Sequence, residues 1–339
     1  MAEPILIWGA GAIGGTLGAY WARAGVDVLM VDINAEHASV CSTQGLTIEG
    51  PVDNFTQVVP TVTPEQLTET FSRCVIAVKA HHTAPATEQL APHLGENGFV
   101  MSAQNGLNEF TLSRLLSEQQ TMGCFVNFGA DWLGPGKILL GNRGAVVVGE
   151  LDGRVRDRTR EMFELLKLFE PDAVLTEDIW SYLWGKLGYG AMLFGTALTN
   201  DSMTDNFADP VRAKIWVTLG KEVMAVAHSQ GVVPKGFNGF VPAAFMPDAP
   251  ADMAQRSIDK LAEFNRHTAK THSGIWRDLA VRKRETEVDQ QIAIIADIGN
   301  DAGIDTPALR RLVELVHDVE RGRREQSIAT LQQLADVCS

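Results

Sequence analysis

The chain has 339 residues, of which 45% are hydrophobic and 21% are charged, and its formal net charge is −13 at pH 7. This composition predicts a globular protein of two domains and excludes intrinsic disorder. The excess negative charge argues against nucleic acid or an anionic membrane surface as a partner, because both would be repelled.

The four cysteines, Cys41, Cys74, Cys124 and Cys338, do not have metal-ligand spacing. In a chain of this length they predict free thiols of a reducing compartment rather than a disulfide framework. We find neither a signal peptide nor an apolar stretch of about 18 residues that could span a bilayer. The expected location is therefore the cytoplasm.

The first half of the chain alternates short apolar runs with helical stretches. Strands buried on both faces of a parallel sheet are predicted at Ile5–Trp8, Val26–Val31, Cys74–Val78 and Phe99–Ala103. A helix of small and apolar residues, Ile13–Ala24, lies between the first two strands. These elements together predict a βαβ unit.

Further strands are predicted later in the same domain. Residues 46–60 mix Thr, Val and Phe with turn residues, which indicates a short strand pair. Leu133–Gly136 is a predicted turn before the strand Lys137–Leu140, and Gly144–Gly149 is a predicted late strand.

After residue 172 long segments with helical periodicity dominate. They are Asp178–Leu198, Pro210–Gln230, Asp252–Thr271, Glu287–Ala302 and Pro307–Arg323. The proline-rich segment Pro234–Pro250 is predicted to be a loop. We therefore expect an α/β domain over residues 1–172 and a helical domain over residues 173–339.

The first strand is followed by a G-x-G-x-x-G motif that consists of Gly9, Ala10, Gly11, Ala12, Ile13 and Gly14. In this strand–turn–helix context the motif is typical of a Rossmann domain that binds a dinucleotide. The free amide groups and the positive dipole end of the helix would hold the diphosphate.

Two charged residues bear on the choice of cofactor. Asp32 ends the second strand, about 20 residues after the glycines, where a carboxylate accepts hydrogen bonds from the adenosine ribose and would repel a 2′-phosphate. This favours NAD. Lys79, in the loop after a later strand, could instead bind a 2′-phosphate, so NADP remains an alternative.

Three residues are candidates for the chemistry. Asn105 follows the strand Phe99–Ala103 at the carboxyl edge of the sheet, where ligands bind, although a plain turn is the alternative. Lys186 lies in a markedly apolar helix and could act as a general acid at a cleft; an extended lysine at the surface is the alternative. Glu287 begins another helix, where a capping carboxylate is the simpler interpretation.

The adjacent histidines His81 and His82 do not predict a metal site. Neighbouring residues on a helix cannot both face one ion, and the sequence shows no carboxylate cluster to join them. We expect no metal and interpret them as residues that line the cofactor cleft.

Taken in order, these segments resemble the ketopantoate reductase family (2-dehydropantoate 2-reductases). The resemblance covers nearly the whole chain and rests on Gly9–Gly14, Val78–Ala80, Gln104–Gly106, Lys186–Leu187 and the run Ser273…Asp278…Thr286–Asp289. It implies a Rossmann domain followed by an all-α domain like that of phosphogluconate dehydrogenases. It also implies reduction of a 2-oxo acid with a nicotinamide cofactor, usually NADPH.

The resemblance implies a role for each matching residue. Lys186 would donate the proton to the ketone oxygen. Glu287 would hold the substrate hydroxyl or the catalytic amine. Asn105 would orient the lysine, the substrate and the nicotinamide.

The chain departs from the family at the substrate positions. The family helix carries asparagines four and eight residues after its lysine, where this chain has Gly190 and Phe194. Before Asp278 the family often has Ser-Ser-Met; here Ser273 starts a different run, and Arg277 could bind a carboxylate or lie at the surface. A substrate hydroxyl left without a partner costs on the order of 1–3 kcal/mol. We therefore expect a larger or more apolar substrate than ketopantoate.

The sequence thus predicts an NAD(P)-dependent dehydrogenase or reductase acting on CH–OH donors, with a small carboxylate-bearing ketone or alcohol as its partner. Reduction of ketopantoate itself, reductive amination of an oxo acid, and a redox sensor without catalysis are the alternatives. The presence of Lys186, Asn105 and Glu287 argues against the sensor. The apolar face of the helix Pro307–Arg323 could cover its own domain or form a homodimer.

Overall fold

The computed structural model describes residues 3–237, 239–267 and 271–338. The chain divides into a first unit that ends at Ile179 and a second unit that begins at Trp180. The boundary expected from the sequence, between residues 172 and 173, lies earlier. The difference arises because the strand Val174–Leu175 pairs with a strand of the first unit.

The described residues of the first unit form twelve strands in two sheets. In chain order the strands are Ile5–Trp8 (β1), Val28–Val31 (β2), Leu46–Glu49 (β3), Phe55–Gln57 (β4), Thr61–Val62 (β5), Phe71–Ile76 (β6), Leu94–Ser102 (β7), Thr121–Val126 (β8), Gly129–Gly134 (β9), Lys137–Asn142 (β10), Val146–Glu150 (β11) and Val174–Leu175 (β12). The α-helices are Ala12–Arg23 (α1), Ala35–Thr43 (α2), Thr83–Leu90 (α3), Asn108–Leu115 (α4) and Asp157–Phe169 (α5).

The larger sheet has the strand order β12-β11-β8-β7-β6-β1-β2-β5. All of its neighbouring strands are parallel except β8 and β11, which are antiparallel. The smaller sheet has the order β4-β3-β10-β9. The strand pair expected in residues 46–60 is confirmed as β3 and β4. The strand expected at Cys74–Val78 instead ends at Ile76, which leaves Val78 in the following loop.

The core of the first unit lies on both faces of the larger sheet. Alternate residues of β1 fall into two clusters: Ile5 and Ile7 pack with Leu17 of α1, and Leu6 packs with Leu90 of α3. The fully buried β1 is thus covered by helices on both sides, as a doubly wound fold requires. The expected Rossmann domain is confirmed.

The second unit is helical over its described residues. Its α-helices are Ile179–Thr196 (α6, which starts on the last residue of the first unit), Met203–Ala208 (α7), Ala213–Ser229 (α8), Ala251–Arg266 (α9), Gly274–Arg277 (α10), Ile294–Asp301 (α11), Pro307–Glu320 (α12) and Ile328–Ala335 (α13). Two π-helical segments, Asp278–Arg282 and Asp289–Ala293, accompany them. The expected all-α domain is confirmed.

Several expected helix boundaries differ from the observed ones. The helix expected at Asp252–Thr271 ends at Arg266, and residues 268–270 lie outside the described part of the chain. The helix expected at Glu287–Ala302 begins with the π-helical segment Asp289–Ala293. The expected loop Pro234–Pro250 contains a short 3₁₀ turn.

The apolar face of α12 is used inside the second unit. Leu309, Leu312 and Leu315 are fully buried, and α12 packs against α8, α11 and α13. This face was expected either to cover its own domain or to form a homodimer, and it covers its own unit. None of the described helices combines the length and apolar character needed to cross a bilayer.

Candidate active site

The loop between β1 and α1 has a backbone shape that two glycines impose. Gly9 has a φ of +101°, and a Cβ there would lie 2.8 Å from the amide nitrogen of Val78. A Cβ at Gly14 would lie 2.0 Å from the carbonyl oxygen of Gly9. Any side chain at these positions would therefore force the strand and the helix apart. Contacts within the protein therefore account for glycine at both positions.

Gly11 in the same loop has no such explanation. Its φ is −69°, ordinary for any residue, and no atom of the described chain lies within 4 Å of the place a Cβ would take. The bare Cα leaves room beside the first turn of α1, whose amide groups and positive dipole end favour a diphosphate. The residues present therefore fit the pyrophosphate of a nicotinamide dinucleotide.

Two side chains hold Ala10 of this loop in place. The carboxylate of Asp32 accepts hydrogen bonds from the amides of Ala10 at 3.0 Å and Asn34 at 2.9 Å. Nδ1 of His37 accepts a hydrogen bond from the amide of Gly136 at 3.0 Å. Nε2 of His37 therefore carries the ring proton and donates it to the carbonyl oxygen of Ala10 at 2.8 Å.

His37 is a site residue that the sequence did not reveal. It is 1% exposed and lies in the first turn of α2. A single histidine near the start of a helix is no recognisable signal, because its partners come from a glycine loop and from a distant turn.

The second strand, β2, is followed directly by Asp32. Asp32 is half-buried, and the next residue, Ile33, is 78% exposed. The exposed Lys79 follows β6, and β6 and β2 lie on opposite sides of β1. With strands about 4.8 Å apart, the ends of these two strands are separated by roughly 10 Å. Lys79 is therefore offset from the ribose position expected at Asp32.

A hydrogen-bond network joins the loops that follow β6 and β7. The side-chain amide of Gln104 donates to the carbonyl oxygen of Val78 and to the hydroxyl of Thr83, at 2.8 Å each. That hydroxyl donates to Oδ1 of Asn108 at 2.9 Å, and Nδ2 of Asn108 donates to the carbonyl oxygen of Asn105 at 2.6 Å. The network holds the backbone of Asn105, whose side chain is half-buried. Thr83 and Asn108 were not apparent from the sequence.

A buried carboxyl group lies close to the same loop. Glu109, in the first turn of α4, is 1% exposed, and neither carboxyl oxygen has a hydrogen-bonding partner among the described residues. Burial raises the pKa of Glu109 to about 8. The group is therefore largely protonated at neutral pH.

His81 and His82 lie in and after the 3₁₀ turn Ala80–His82, with ring centroids 4.1 Å apart. Within the described ranges, no group of three His, Cys, Asp or Glu residues is arranged to hold a metal ion. That His81 and His82 line the cofactor cleft stays a prediction.

Helix α6 carries the expected proton donor, Lys186, which is half-buried. Packing requires three glycines of this helix: Gly185, Gly188 and Gly195. A Cβ on them would lie 1.9 Å from a backbone oxygen, 2.7 Å from a methionine methyl and 2.7 Å from a tryptophan ring, respectively. The helix is therefore tightly packed on these faces.

Gly190, one turn after Lys186, lies on a different face. The atom nearest to a Cβ placed there is Oε1 of Gln291, at 3.9 Å. Residues four apart share a helix face, so Lys186 and Gly190 lie on the open face of α6. Nε2 of Gln291 donates to Oε2 of Glu287 at 3.4 Å. Gln291 thus connects the open face of α6 with Glu287.

Glu287 lies between two π-helical segments. The residue is 9% exposed, and the segments Asp278–Arg282 and Asp289–Ala293 precede and follow it. π-Helical turns occur frequently at functional sites, because they change the direction of side chains along a helix. A buried carboxylate in this setting suits a binding role better than a simple helix cap.

Ser273 and Arg277 lie at the two ends of α10. Ser273 is buried and caps the helix by accepting a hydrogen bond from the amide of Trp276 at 3.1 Å. Its hydroxyl proton remains a donor. Arg277 is half-buried, and both roles expected for it, carboxylate binding and a surface position, stay predictions. The adjacent Asp278 binds the guanidinium groups of Arg282 at 3.0 Å and Arg284 at 2.8 Å.

Phe194 has no exposed surface and belongs to the packed interior. Its burial is explained by core packing alone. The expected contact with a substrate stays a prediction and requires a neighbouring side chain to move.

Comparison with known proteins identifies two matching family profiles. The profile described as "Ketopantoate reductase PanE/ApbA" matches residues 5–153. The profile described as "Ketopantoate reductase PanE/ApbA C terminal" matches residues 178–320. The 2-dehydropantoate 2-reductase of Archaeoglobus fulgidus is 29% identical over 325 residues, covering 94% of this chain and 99% of the relative. The Mesorhizobium japonicum enzyme of that name is 26% identical and covers 94% and 98%.

Solved structures share the fold over nearly the whole chain. A D-mandelate dehydrogenase with NADH and anilino(oxo)acetate superposes with a TM-score of 0.79 at 20% identity, covering 94% of this chain and 99% of that one. A ketopantoate reductase of Ralstonia eutropha gives 0.78 at 24% identity, with coverage of 95% and 99%. A dimeric ketopantoate reductase of Staphylococcus aureus gives 0.72 at 17% identity, with coverage of 95% and 100%.

Proposed function

The chain belongs to the ketopantoate reductase family, and we propose that it is an NAD(P)-dependent oxidoreductase that interconverts a 2-oxo acid, or a related ketone, with its 2-hydroxy form. The observation that carries the proposal is the open face of α6. There Lys186 shares a face with Gly190, and Gln291 connects that face to the carboxylate of Glu287. A lysine on a loosely packed helix face, which Gln291 connects to a buried carboxylate, has the components of a proton donor with a substrate-orienting partner.

Each residue then has a defined task in the reaction. NADH or NADPH, when bound at the glycine loop, supplies the hydride for the carbonyl carbon. The ammonium group of Lys186 donates a proton to the ketone oxygen as negative charge develops there, and water returns a proton to the amine. In the oxidative direction, Lys186 accepts the hydroxyl proton.

Two further groups orient the reactants. The carboxylate of Glu287 accepts a hydrogen bond from the substrate hydroxyl or from the ammonium group of Lys186. The carboxamide of Asn105, whose backbone the Gln104–Thr83–Asn108 network holds, orients the substrate and the nicotinamide. We assign the substrate carboxylate to the hydroxyl of Ser273 and the guanidinium group of Arg277.

We propose NADH as the preferred cofactor. The carboxylate of Asp32 would repel a 2′-phosphate and bind the ribose hydroxyls instead. Lys79 follows a strand on the other side of β1 and is poorly placed to offset this repulsion. The D-mandelate dehydrogenase with a similar fold is described with NADH, which supports the same choice.

We propose an apolar 2-oxo acid, branched or aromatic, as the substrate. The resemblance to the family implies an asparagine at position 190, where this chain has glycine and the atom nearest to a Cβ would be Oε1 of Gln291, at 3.9 Å. A missing amide removes a partner for a substrate hydroxyl and adds volume for an apolar group. Anilino(oxo)acetate, present in the D-mandelate dehydrogenase structure, is an oxo acid of this aromatic type.

Reduction of 2-dehydropantoate is the second candidate. It is favoured by the curated relatives, which carry the name 2-dehydropantoate 2-reductase and align over more than nine-tenths of this chain. The two candidates differ at Gly190, because only the second requires a hydrogen-bonding partner for the additional hydroxyl of the substrate.

We also propose a homodimer, on the support of the Staphylococcus aureus protein that is described as dimeric. The apolar face of α12 is not available for this contact, since it is buried within its own unit. Analytical ultracentrifugation is expected to give twice the chain mass, and a monomer at micromolar concentration would contradict the proposal.

A substrate screen tests the proposed function. Purified protein is assayed with NADH and NADPH against ketopantoate and a series of aliphatic and aromatic 2-oxo acids, and in the reverse direction with the hydroxy acids. We expect the highest kcat/KM for an apolar 2-oxo acid with NADH. Ketopantoate with NADPH as the best pair would establish the second candidate, and turnover that depends on an added amine would indicate reductive amination.

A further inference from the structure

A carboxylate of α12 holds the residue that precedes Glu287. The backbone amide and the hydroxyl of Thr286 both donate to Oε1 of Glu320, at 2.7 Å each. The side chain of Glu320 is only 5% exposed. A carboxylate so poorly hydrated depends on such donors for its stability.

The second oxygen of Glu320 extends this contact to His317, one turn earlier on α12. Nδ1 of His317 lies 2.9 Å from Oε2 of Glu320, and Nε2 lies 3.0 Å from Oδ1 of Asp289. Asp289 starts the π-helical segment that follows Glu287. The end of α12 therefore binds the chain on both sides of Glu287. Glu320 binds Thr286 before it, and His317 binds Asp289 after it.

Both contacts require the charged form of His317. A neutral imidazole has one N–H, so one of its nitrogens would present a lone pair to a carboxylate. Partial burial disfavours the charge, but the hydrogen bonds to Glu320 and Asp289 outweigh it and raise the pKa of His317 above its ordinary value of 6.5.

A further buried carboxylate of the surrounding elements acts at the other end of α12. Glu222 of α8, which also packs against α12, binds the amides of Ala308 and Leu309 at the opposite end of that helix. Among the described residues, Glu320 and Asp289 are thus the carboxylates within hydrogen-bond distance of the His317 ring.

We infer that His317 is a positioning residue for Glu287, which it places by tying Glu320 to Asp289. The inference rests on the role proposed above for Glu287 in binding substrate. The contribution of His317 to stability is complete below its unfolded pKa of about 6.5 and is lost as the pH rises through the raised folded value. Substrate binding should weaken with that loss, while cofactor binding at the glycine loop should not.

The substitution His317→Gln tests the inference through a pH profile. Measured near pH 6, kcat/KM for the best oxo acid should fall on the order of tenfold, because a slightly misplaced binding group costs catalysis heavily. The difference in kcat/KM between His317→Gln and the natural protein should become small toward pH 9, where the imidazole of the natural protein becomes neutral. The variant His317→Lys, whose ammonium group stays charged, should keep a higher kcat/KM than His317→Gln at alkaline pH. A gap of constant size, or none, would overturn the inference.

His228→Gln is the matched control, since His228 is an exposed histidine in the last turn of α8. It should leave kcat/KM unchanged at every pH. The dissociation constant for NADH should be unchanged in both glutamine variants; a weaker affinity in His317→Gln would indicate a general structural defect and overturn the assignment.

A second readout does not depend on turnover. The ring protons of His317, followed by NMR, should titrate with a pKa above 6.5 in the natural protein and at lower pH in Glu320→Gln. Equal pKa values in the two proteins would overturn the proposed contact between His317 and Glu320, even in an active enzyme. Absence of turnover with every oxo acid would instead refute the proposed function, while the NMR titration would still test the contact between His317 and Glu320.

Discussion

The two units carry their chemistry in different ways. In the first unit the cofactor loop acts through its backbone: Gly9 and Gly14 are required by the protein, and Gly11 leaves a bare surface beside the amides of α1. In the second unit the candidate groups are side chains: Lys186 lies in α6, and Glu287 lies much later in the chain, between two π-helical segments. Substitutions in the first unit should therefore change affinity, and those in the second should change turnover.

The largest effect is expected for Lys186→Ala. Loss of the proton donor should lower kcat by about a thousandfold, within the range typical of general acids. The dissociation constant for NADH should stay the same, because the glycine loop lies in the other unit. Steady-state kinetics and fluorescence titration measure the two quantities.

Lys221→Ala, at an exposed position of α8, is the control for Lys186→Ala and should change neither quantity. If Lys186→Ala retains its kcat, or loses cofactor affinity along with it, the division of tasks between the units is wrong.

The substitution Gly11→Val should weaken cofactor binding by the first unit without destabilising its fold. No atom of the described chain meets a Cβ at Gly11 and its φ is ordinary, so the free energy of unfolding should change by less than about 1 kcal/mol. The added methyl groups would occupy the place of the diphosphate, and the dissociation constant for NADH should rise about a hundredfold, or roughly 2.7 kcal/mol.

Gly9→Ala gives the opposite pattern and serves as the comparison for Gly11→Val. Its φ of +101° and the close amide of Val78 predict a loss of stability of at least about 1 kcal/mol. A Gly11→Val protein that binds NADH normally would show that the diphosphate lies elsewhere.

Glu109→Gln should change the pH dependence of stability. The folded pKa of about 8 exceeds the ordinary pKa of 4.5 for this side chain, so the natural protein loses stability as the pH rises between these values. The slope contributed by this group is at most about 1.4 kcal/mol per pH unit. Urea unfolding from pH 6 to pH 8 should show a gain of about 2 kcal/mol for the variant relative to the natural protein. A constant difference across this range would contradict the buried, protonated state.

Gly190→Asn sharpens the interpretation of the second unit. The nearest atom lies 3.9 Å from the new Cβ, so the helix should accept the side chain without a clash. The amide should shift the ratio of kcat/KM for ketopantoate over an aromatic oxo acid about tenfold toward ketopantoate. Gly188→Asn cannot serve as a control, because a methionine and a phenylalanine fill the space beside Gly188. An unchanged ratio of kcat/KM in Gly190→Asn would show that the substrate binds at another face of α6.

Much of the first unit could be predicted because its signals are local. The strand Ile5–Trp8 is continuously apolar, and the glycine motif follows it directly. His37 and the hydrogen bonds from Gln104 to Thr83 could not be predicted, since their partners meet only through the order of the strands.

The second unit shows the limits of periodicity more clearly. The apolar pattern predicted α8 and α12 well, because their buried faces follow the helical repeat. It did not predict the π-helical segments around Glu287, which leave no distinct apolar pattern. Nor did it link Glu320 to Thr286, a contact between residues 34 apart in the chain.

Transfer of deuterium tests the central claim most directly. The protein is incubated with an apolar 2-oxo acid and with NADH that carries deuterium at both hydrogens of nicotinamide C4, and the product is analysed by mass spectrometry. The account predicts a 2-hydroxy acid with one deuterium bound to C2. A product without deuterium, or no product from any oxo acid with either cofactor, would contradict it.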